Sequence, residues 1–396
     1  MQRTGDDERR CGHREDDDVG AFEHAGKYCE RDANGEFANG ALRAFSDWTC
    51  RPSAAKSQLA IRDSPFAVRY SIQSRSHLTV ISLQDVRAAR ERIAPFVHRT
   101  PVMTSTRLGD RVGVKLFLKC ENFQKTGSFK VRGVVNKLSQ LDQSLRDRGV
   151  VTVSAGNHAQ ALAWGARENG IKATVVMPAA ASPAKVEASR GYGAEVVLHG
   201  ETSIQAFAKA RELEAERGLT FVHPFDDPFV CAGAGTTGLE VMEQVENADV
   251  VVIPIGGGGL IGGMLAAIKE SNPKIRVYGV EPTGAPSTRR SLDDGQAVRL
   301  EKVSTIADGL AAPMMGELPY EMIRKYVDDV VLLEDDVIAD AMRELLLNTK
   351  LLAEPAGATA TAAVLQRAIP LKDGERVVVM VSGGNIDLKK LSSILS

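Results

Sequence analysis

Glu121-Asn122-Phe123-Gln124-Lys125-Thr126-Gly127-Ser128-Phe129-Lys130 is a polar turn with one glycine that closes on a lysine. Before it, Lys115-Leu116-Phe117-Leu118-Lys119 has the length and alternation of a strand. After it, Val131, Val134, Val135 and Leu138 recur at helical spacing. Lys130 is therefore expected at a strand-to-helix junction, where α/β sheets carry their sites. An amine that is partly desolvated beside a helix N-terminus is held toward its neutral form, and only the neutral amine attacks a carbonyl. A lone Phe-Lys reads more often as a surface lysine on an amphipathic helix. The rest of the segment, with three further glycine-rich turns, favours a lysine that holds a cofactor.

Outward from this turn the chain alternates. Val150 to Val153, Ala173 to Met177, Ala194 to Leu198 and Leu219 to Val222 read as short strands, with helices at Ala159 to Glu168, Ala184 to Arg190 and Ile204 to Glu216 between them. Such alternation with short connections predicts a parallel sheet covered on both faces. A second series comes next: a helix through Leu239 to Val245, the apolar strand Val250 to Ile255, a glycine turn and helix to Lys269, and strand Arg276 to Val280. After a less regular stretch from Pro282 to Pro319 come strand Val330 to Leu333, a long helix from Asp335, and strand Val377 to Val381. The expected fold is α/β, with two doubly wound parallel-sheet domains and the smaller, residues 150–225, inserted between residues 81–149 and 226–396 of the larger. Order is expected to begin at Ser82-Leu83-Gln84-Asp85, a capping-box variant ahead of the stripe Val86, Ala89, Ile93. Residues 1–80 lack sustained periodicity and read as a disordered extension.

The chain has 396 residues, 43% hydrophobic and 25% charged, and a formal net charge of -2, which gives no electrostatic case for nucleic acid or membrane as partner. A small molecule is the expected partner. Cys11, Cys29, Cys50, Cys120 and Cys231 form no C-x-x-C pair, and Cys11, His13, His24 and Cys29 match no standard zinc finger. With no apolar signal core and with Asp6, Asp7, Glu8 and Glu15 to Asp18 at the start, a cytoplasmic protein is expected.

Three more turns carry candidate chemistry. Ser154-Ala155-Gly156-Asn157-His158 ends a strand and opens a helix, so its N–H groups suit an anion such as a substrate carboxylate, while the Asn157 amide suits a ring oxygen. Gly256-Gly257-Gly258-Gly259-Leu260 can bring several N–H groups close to a phosphate. Gly257, Gly259 and Gly262 also satisfy G-x-G-x-x-G, and Glu281 lies near the spacing of a ribose-binding acid, so a nicotinamide-dependent oxidoreductase is the rival reading. Ser382-Gly383-Gly384-Asn385 ends the last core strand; its hydroxyl faces a ring nitrogen or caps the next segment. Glu354-Pro355-Ala356-Gly357 either places a carboxylate in the cleft or caps a helix.

In this order the four turns resemble those of the fold-type-II pyridoxal-phosphate enzymes, most closely the threonine/serine dehydratases (ammonia-lyases), with serine racemase as a relative. The resemblance runs from about Ser82 to the C-terminus and includes Thr305-Ile306-Ala307-Asp308-Gly309-Leu310. It implies pyridoxal 5'-phosphate bound through a Schiff base to Lys130, with Phe129 against the ring and Asn157 at the ring oxygen. It further implies Gly256, Gly257, Gly258, Gly259 and Leu260 around the phosphate, Ser382 at the pyridine nitrogen, and Glu354 among the cofactor contacts. Lys130 and Ser154 are the implied catalytic residues, and Ser154, Gly156, Asn157 and His158 receive the substrate.

The implied reaction is dehydration and deamination of L-threonine, or L-serine, to 2-oxobutanoate or pyruvate and ammonia, with Lys130 taking the α-proton. A neutral Ser382 at the ring nitrogen makes a weaker electron sink, which favours prompt loss of the β-hydroxyl. Hydroxyaspartate dehydratase and serine racemase are the alternatives. The racemase has a serine where Ala155 stands, and the cysteine-synthase branch usually has a threonine where His158 stands. A non-catalytic binding protein is the remaining class. In the family's cation site Glu281 and the Ala285 carbonyl match while Ser287 replaces an acid, so a monovalent or a divalent cation is expected there, or none. The resemblance also implies a homodimer or homotetramer, and no isoleucine-sensitive regulatory domain is expected after Asn385.

Overall fold

The computed structural model describes residues 80–396; the readings made for residues 1–79 lie outside it. Among the described residues ten strands form two sheets: β1 (Val102–Thr104), β2 (Lys115–Cys120), β3 (Val150–Val153), β4 (Ala173–Met177), β5 (Glu195–Leu198), β6 (Thr220–Phe221), β7 (Val250–Pro254), β8 (Arg276–Pro282), β9 (Asp329–Leu333) and β10 (Arg376–Val381). Six strands run in the order β1-β2-β10-β7-β8-β9, and four in the order β5-β4-β3-β6.

The valine runs set the six-stranded sheet. Along β7 and β10, Val251, Ile253, Val378 and Met380 enter the core on one face, whereas Val250, Val252, Val377 and Val379 enter the core on the other. Strands buried on both faces read as continuous apolar runs, the usual signature of a parallel sheet under helices. The registers Cys120↔Val381 and Val252↔Val379 bring the C-terminal ends of β2, β10 and β7 side by side. The lysine turn, the Ser382 turn and the glycine turn thus leave one edge of one sheet as neighbours.

The four-stranded sheet is parallel throughout and has β3 near its centre. Val150, Val175 and Met177 share a core with Val131, Val134, Val135 and Leu162. The helix that begins at Lys130 is therefore packed against the helix Asn157–Glu168 that comes after β3. Val151 and Val176 face the Ser203–Arg217 helix on the other side.

Four features differ from expectation. β1 pairs antiparallel with β2, so the larger sheet is mixed at that edge. The helix expected from Leu239 begins at Pro228, because the Asp227 carboxylate accepts from the Phe229 and Val230 N–H groups and proline fits the first turn. Pro355–Leu365 is a helix with Pro355 to Val364 all buried, built from alanine, threonine and glycine. The irregular stretch holds a further helix, Ser287–Asp294. The capping box at Ser82 and Asp85 forms in both directions, as expected. Among the described residues no helix is long and apolar enough to cross a membrane.

Candidate functional site

Lys130 is the first residue of the helix Lys130–Leu138. Its approach is fixed by two successive left-handed residues, Thr126 (φ 60°) and Gly127 (φ 73°). From there Ser128 bridges to Gly383, and the Phe129 N–H donates to the Ser382 carbonyl at 3.2 Å. The lysine turn is thereby stitched to the turn after β10. Lys130 Nζ lies 5.2 Å from the Phe129 ring centroid and donates to the Pro224 carbonyl at 2.9 Å. Burial pushes the amine down to about 8, against the opposing pull of Cys231 and Glu354. A substantial fraction is therefore neutral near that pH.

Two residues beyond Lys130, Arg132 anchors the same helix. Its guanidinium pairs with Glu121 at 2.8 and 2.9 Å and with Glu240 at 2.7 and 3.0 Å, while Lys119 Nζ meets Glu240 at 2.5 Å. All four side chains are buried. Burial alone would lower the Arg132 pKa, but the two carboxylates, Glu121 first, raise it. Two cations and two anions balance, and the helix is tied through them to β2 and to the Pro228–Gln244 helix.

In the turn after β3, Ser154 Oγ accepts from the Gly156 N–H at 3.1 Å, and the helix opens at Asn157 without a side-chain cap. Among the described residues nothing accepts from the N–H groups of Asn157 and His158. That is a helix N-terminus whose first N–H groups are free to take an anion. His158 is buried with Nε2 against the Val222 carbonyl at 3.2 Å, and burial, then the Lys130 charge, drive it down to about 3. His223 is likewise pushed by burial to about 4, and its Nδ1 accepts from Asp226 N–H at 2.8 Å. Both imidazoles are neutral beside the lysine.

The glycine turn fits an anion by what it lacks. No acceptor among the described residues takes the N–H groups of Gly256, Gly257, Gly258, Gly259 or Leu260. A Cβ on Gly257 would fall inside the Phe225 ring, and one on Gly258 would press on Pro319 at 2.6 Å. Gly258, at φ 89°, is the residue that turns the loop into the helix Gly259–Ser271. Unclaimed amides at a helix start, in a space that excludes side chains, suit a phosphate.

Glu354 stands at the N-cap of the Pro355–Leu365 helix but makes no cap bond; instead its Oε1 accepts from Asn157 Nδ2 at 2.6 Å. Burial raises its pKa to about 7. Ser382 Oγ donates to the Ala356 carbonyl at 3.3 Å. Asn385 Nδ2 donates to Asn157 Oδ1 at 2.8 Å and to the Thr126 carbonyl at 2.7 Å. Contacts therefore run from Lys130 through Pro224 and Phe225 to Gly257, and from Thr126 through Asn385 and Asn157 to Glu354.

Glu281 and Ala285 lie outside this set. The buried Glu281 carboxylate accepts from Thr288 N–H (2.8 Å), Arg289 N–H (2.9 Å) and Ser287 Oγ (3.3 Å), and the Ala285 carbonyl accepts from Ser287 N–H at 3.0 Å. Both oxygen donors expected of a cation site are turned onto the start of the Ser287–Asp294 helix. Among the described residues no group of three or more His, Cys, Asp or Glu could hold a metal. Among the described residues the hydrogen bonds of the Glu281 carboxylate come from residues 287–289 and none from the glycine turn. Sequence reasoning passed over the segment His223-Pro224-Phe225, which joins the lysine to the glycine turn; its signal was two rings flanking a proline just after a strand.

Comparison with known proteins identifies the family. Residues 93–383 match the family described as "Pyridoxal-phosphate dependent enzyme". The chain is 45% identical over 317 residues to an L-threonine ammonia-lyase of Thermotoga maritima, spanning 80% of this chain and 79% of that protein. It is 41% identical to the Staphylococcus aureus catabolic L-threonine dehydratase TdcB, spanning 80% of this chain and 92% of that one. Among solved structures, maize serine racemase superposes with a TM-score of 0.77 at 40% identity, over 79% of this chain and 96% of the other. A threonine deaminase from T.th. does so with a TM-score of 0.74 at 43% identity, over 78% and 99%. A buried lysine amine near neutrality, an empty-handed row of glycine amides and a match across most of the folded chain place this protein in the family of pyridoxal-phosphate dependent enzymes.

Proposed function

We propose that this protein is an L-threonine ammonia-lyase that also accepts L-serine, forming 2-oxobutanoate or pyruvate with release of ammonia. The observation that carries the reading is Lys130: a buried amine brought down to about 8, with a free helix N-terminus and an anion cradle among the neighbouring turns. Relatives at 41–45% identity, named L-threonine ammonia-lyase or dehydratase, support the choice of substrate.

The substrate carboxylate is received by the unclaimed N–H groups of Asn157 and His158, with the helix dipole behind them and Ser154 holding the turn in shape. Bound against Lys130 with its phosphate on Gly256 to Leu260, pyridoxal phosphate supplies an electron-withdrawing ring that accommodates the charge left at the substrate's α-carbon. Lys130 takes the α-proton, since His158 and His223 are held neutral far below its range. Ser382 offers the ring nitrogen an uncharged hydroxyl, which favours early loss of the β-hydroxyl over a persistent carbanion. Ala155 has no exchangeable proton to deliver to the opposite face, which favours elimination over racemisation.

Residues 81–149 and 226–396 are proposed to form the larger domain and residues 150–225 the smaller, supported by the split of the ten strands into two sheets. A homodimer or homotetramer in the cytoplasm is the proposed assembly, checked by light scattering and by fractionation. The deciding experiment for function is ammonia release by the purified protein from L-threonine, L-serine and β-hydroxyaspartate. Turnover is expected with threonine above serine. Formation of D-serine without ammonia, or turnover of hydroxyaspartate alone, overturns the proposal.

A further inference from the structure

Asn385 reaches two of the other turns. Its Nδ2 donates to the Thr126 carbonyl at 2.7 Å, in the lysine turn, and to Asn157 Oδ1 at 2.8 Å. A main-chain carbonyl can only accept, so the nitrogen end of Asn385 must face Thr126, and the same nitrogen then reaches Asn157. At the far end of the Asn157 amide, Nδ2 donates to Glu354 Oε1 at 2.6 Å. Glu354 titrates near 7, and Oε1 accepts from Nδ2 whether or not the other oxygen carries a proton.

An asparagine amide has nearly the same shape at both ends, so a half-turn about its last bond exchanges donor for acceptor at little steric cost. Here that half-turn would set Asn157 Nδ2 against Asn385 Nδ2 and Asn157 Oδ1 against Glu354 Oε1, replacing two hydrogen bonds by two like contacts. Two glycines make room for the array. A Cβ on Gly127 would overlap the Asn385 side chain, and one on Gly383 would overlap Glu354 Oε1. Gly127 is itself in the left-handed region, at φ 73°. The lysine, asparagine and serine turns meet the Glu354 segment in this one row of bonds.

We propose that Asn385 is a positioning residue that locks the Asn157 amide so that it presents an N–H, and not its oxygen, to the ring oxygen of bound pyridoxal phosphate. The proposal rests on the reading above that Asn157 meets that ring oxygen. A donor there favours the ionised ring oxygen, the form of the cofactor–lysine chromophore that absorbs in the visible; an acceptor favours the protonated oxygen, which absorbs in the near ultraviolet.

The test is the absorption spectrum of the holoenzyme, with cofactor content measured separately after release. Asn385→Asp keeps the size of the side chain and replaces the donor by an acceptor, which draws Asn157 Nδ2 toward it. The ratio of visible to near-ultraviolet absorbance is expected to fall about tenfold, the effect of one reversed hydrogen bond. Asn385→Ala only removes the lock and is expected to give a smaller fall in the same direction, which keeps the test open if the aspartate variant does not fold. A residue of merely structural importance would lower the melting temperature and leave the ratio alone. Variants that bind cofactor in full, with wild-type ratios, overturn the lock while leaving the function intact. Failure of the wild-type protein to take up pyridoxal phosphate overturns the site itself.

Discussion

Lys130 Nζ donates to the main-chain carbonyl of Pro224 at 2.9 Å, and the ring of the next residue, Phe225, fills the space where a side chain on Gly257 would lie. One short segment after β6 therefore parks the amine and walls the glycine cradle. A carbonyl accepts from an amine in either protonation state, so this contact does not demand a charged lysine; burial decides the equilibrium.

Replacing Lys130 by alanine would remove the proposed attachment point together with the proposed base. Ammonia release from L-threonine is expected to fall by at least about 1,000-fold. The visible band of the purified protein should vanish with it. A variant that keeps either property would show that another group holds the cofactor.

The depressed lysine also makes cofactor-free stability depend on pH. Lys130 titrates near 8 when folded, against an ordinary value of 10.5. Between those values the unfolded chain binds more protons than the folded one, so stability rises with pH across that window. Below pH 8 the penalty stands in full, on the order of 3 kcal/mol. Lys130→Met should accordingly be more stable than wild type at pH 7 by roughly 2–3 kcal/mol in urea unfolding, with the gap closing as pH approaches 10.5. A gap that widens with pH would contradict the assigned burial.

Gly257→Ala drives a methyl group into the Phe225 ring. Cofactor affinity is expected to drop about tenfold or more, the effect of overpacking by one methyl. Adding Phe225→Ala to the same chain should recover part of it. Equal affinity of Gly257→Ala and wild type in equilibrium titration would mean that the ring yields freely.

Arg132→Met leaves Glu121 and Glu240 buried beside Lys119 alone. Loss of one partner of a buried ionic cluster costs about 3–5 kcal/mol. Removing the orphaned charge as well, in Arg132→Met with Glu121→Gln, should cost less than the single change. The midpoint of urea unfolding reads both, and additive losses would show that these charges do not couple.

Much of this was legible from residue order. The valine runs of β7 and β10 could only be strands buried on both faces, and each glycine turn comes after a strand, so the sites fell at strand ends. Other parts were not. Pro355–Leu365 showed only a candidate start at Glu354-Pro355 and not its extent, because alanine, threonine and glycine carry no periodic contrast when every face is buried. Val102–Thr104 is three residues long, too short to show alternation. Glu354 read either as a cleft carboxylate or as a cap from its place before a proline, and nothing in the local sequence signals its partner Asn157, 197 residues away in the chain. Nor does spacing reveal that Glu281 is satisfied by the helix just after it. Such pairings are set by which strands lie side by side, and local sequence does not encode that.

The bond from Asn385 to Thr126 joins residues 259 positions apart, and β10 lies between β2 and β7. During synthesis, then, the lysine turn emerges early but stays without its contacts to Ser382, Gly383 and Asn385 until the final strand has inserted into the middle of the sheet. A chain cut short before that strand would retain its reactive amine and lose the floor beneath it. Retention of the coenzyme through gel filtration is thus a reporter of completed folding for the whole larger sheet.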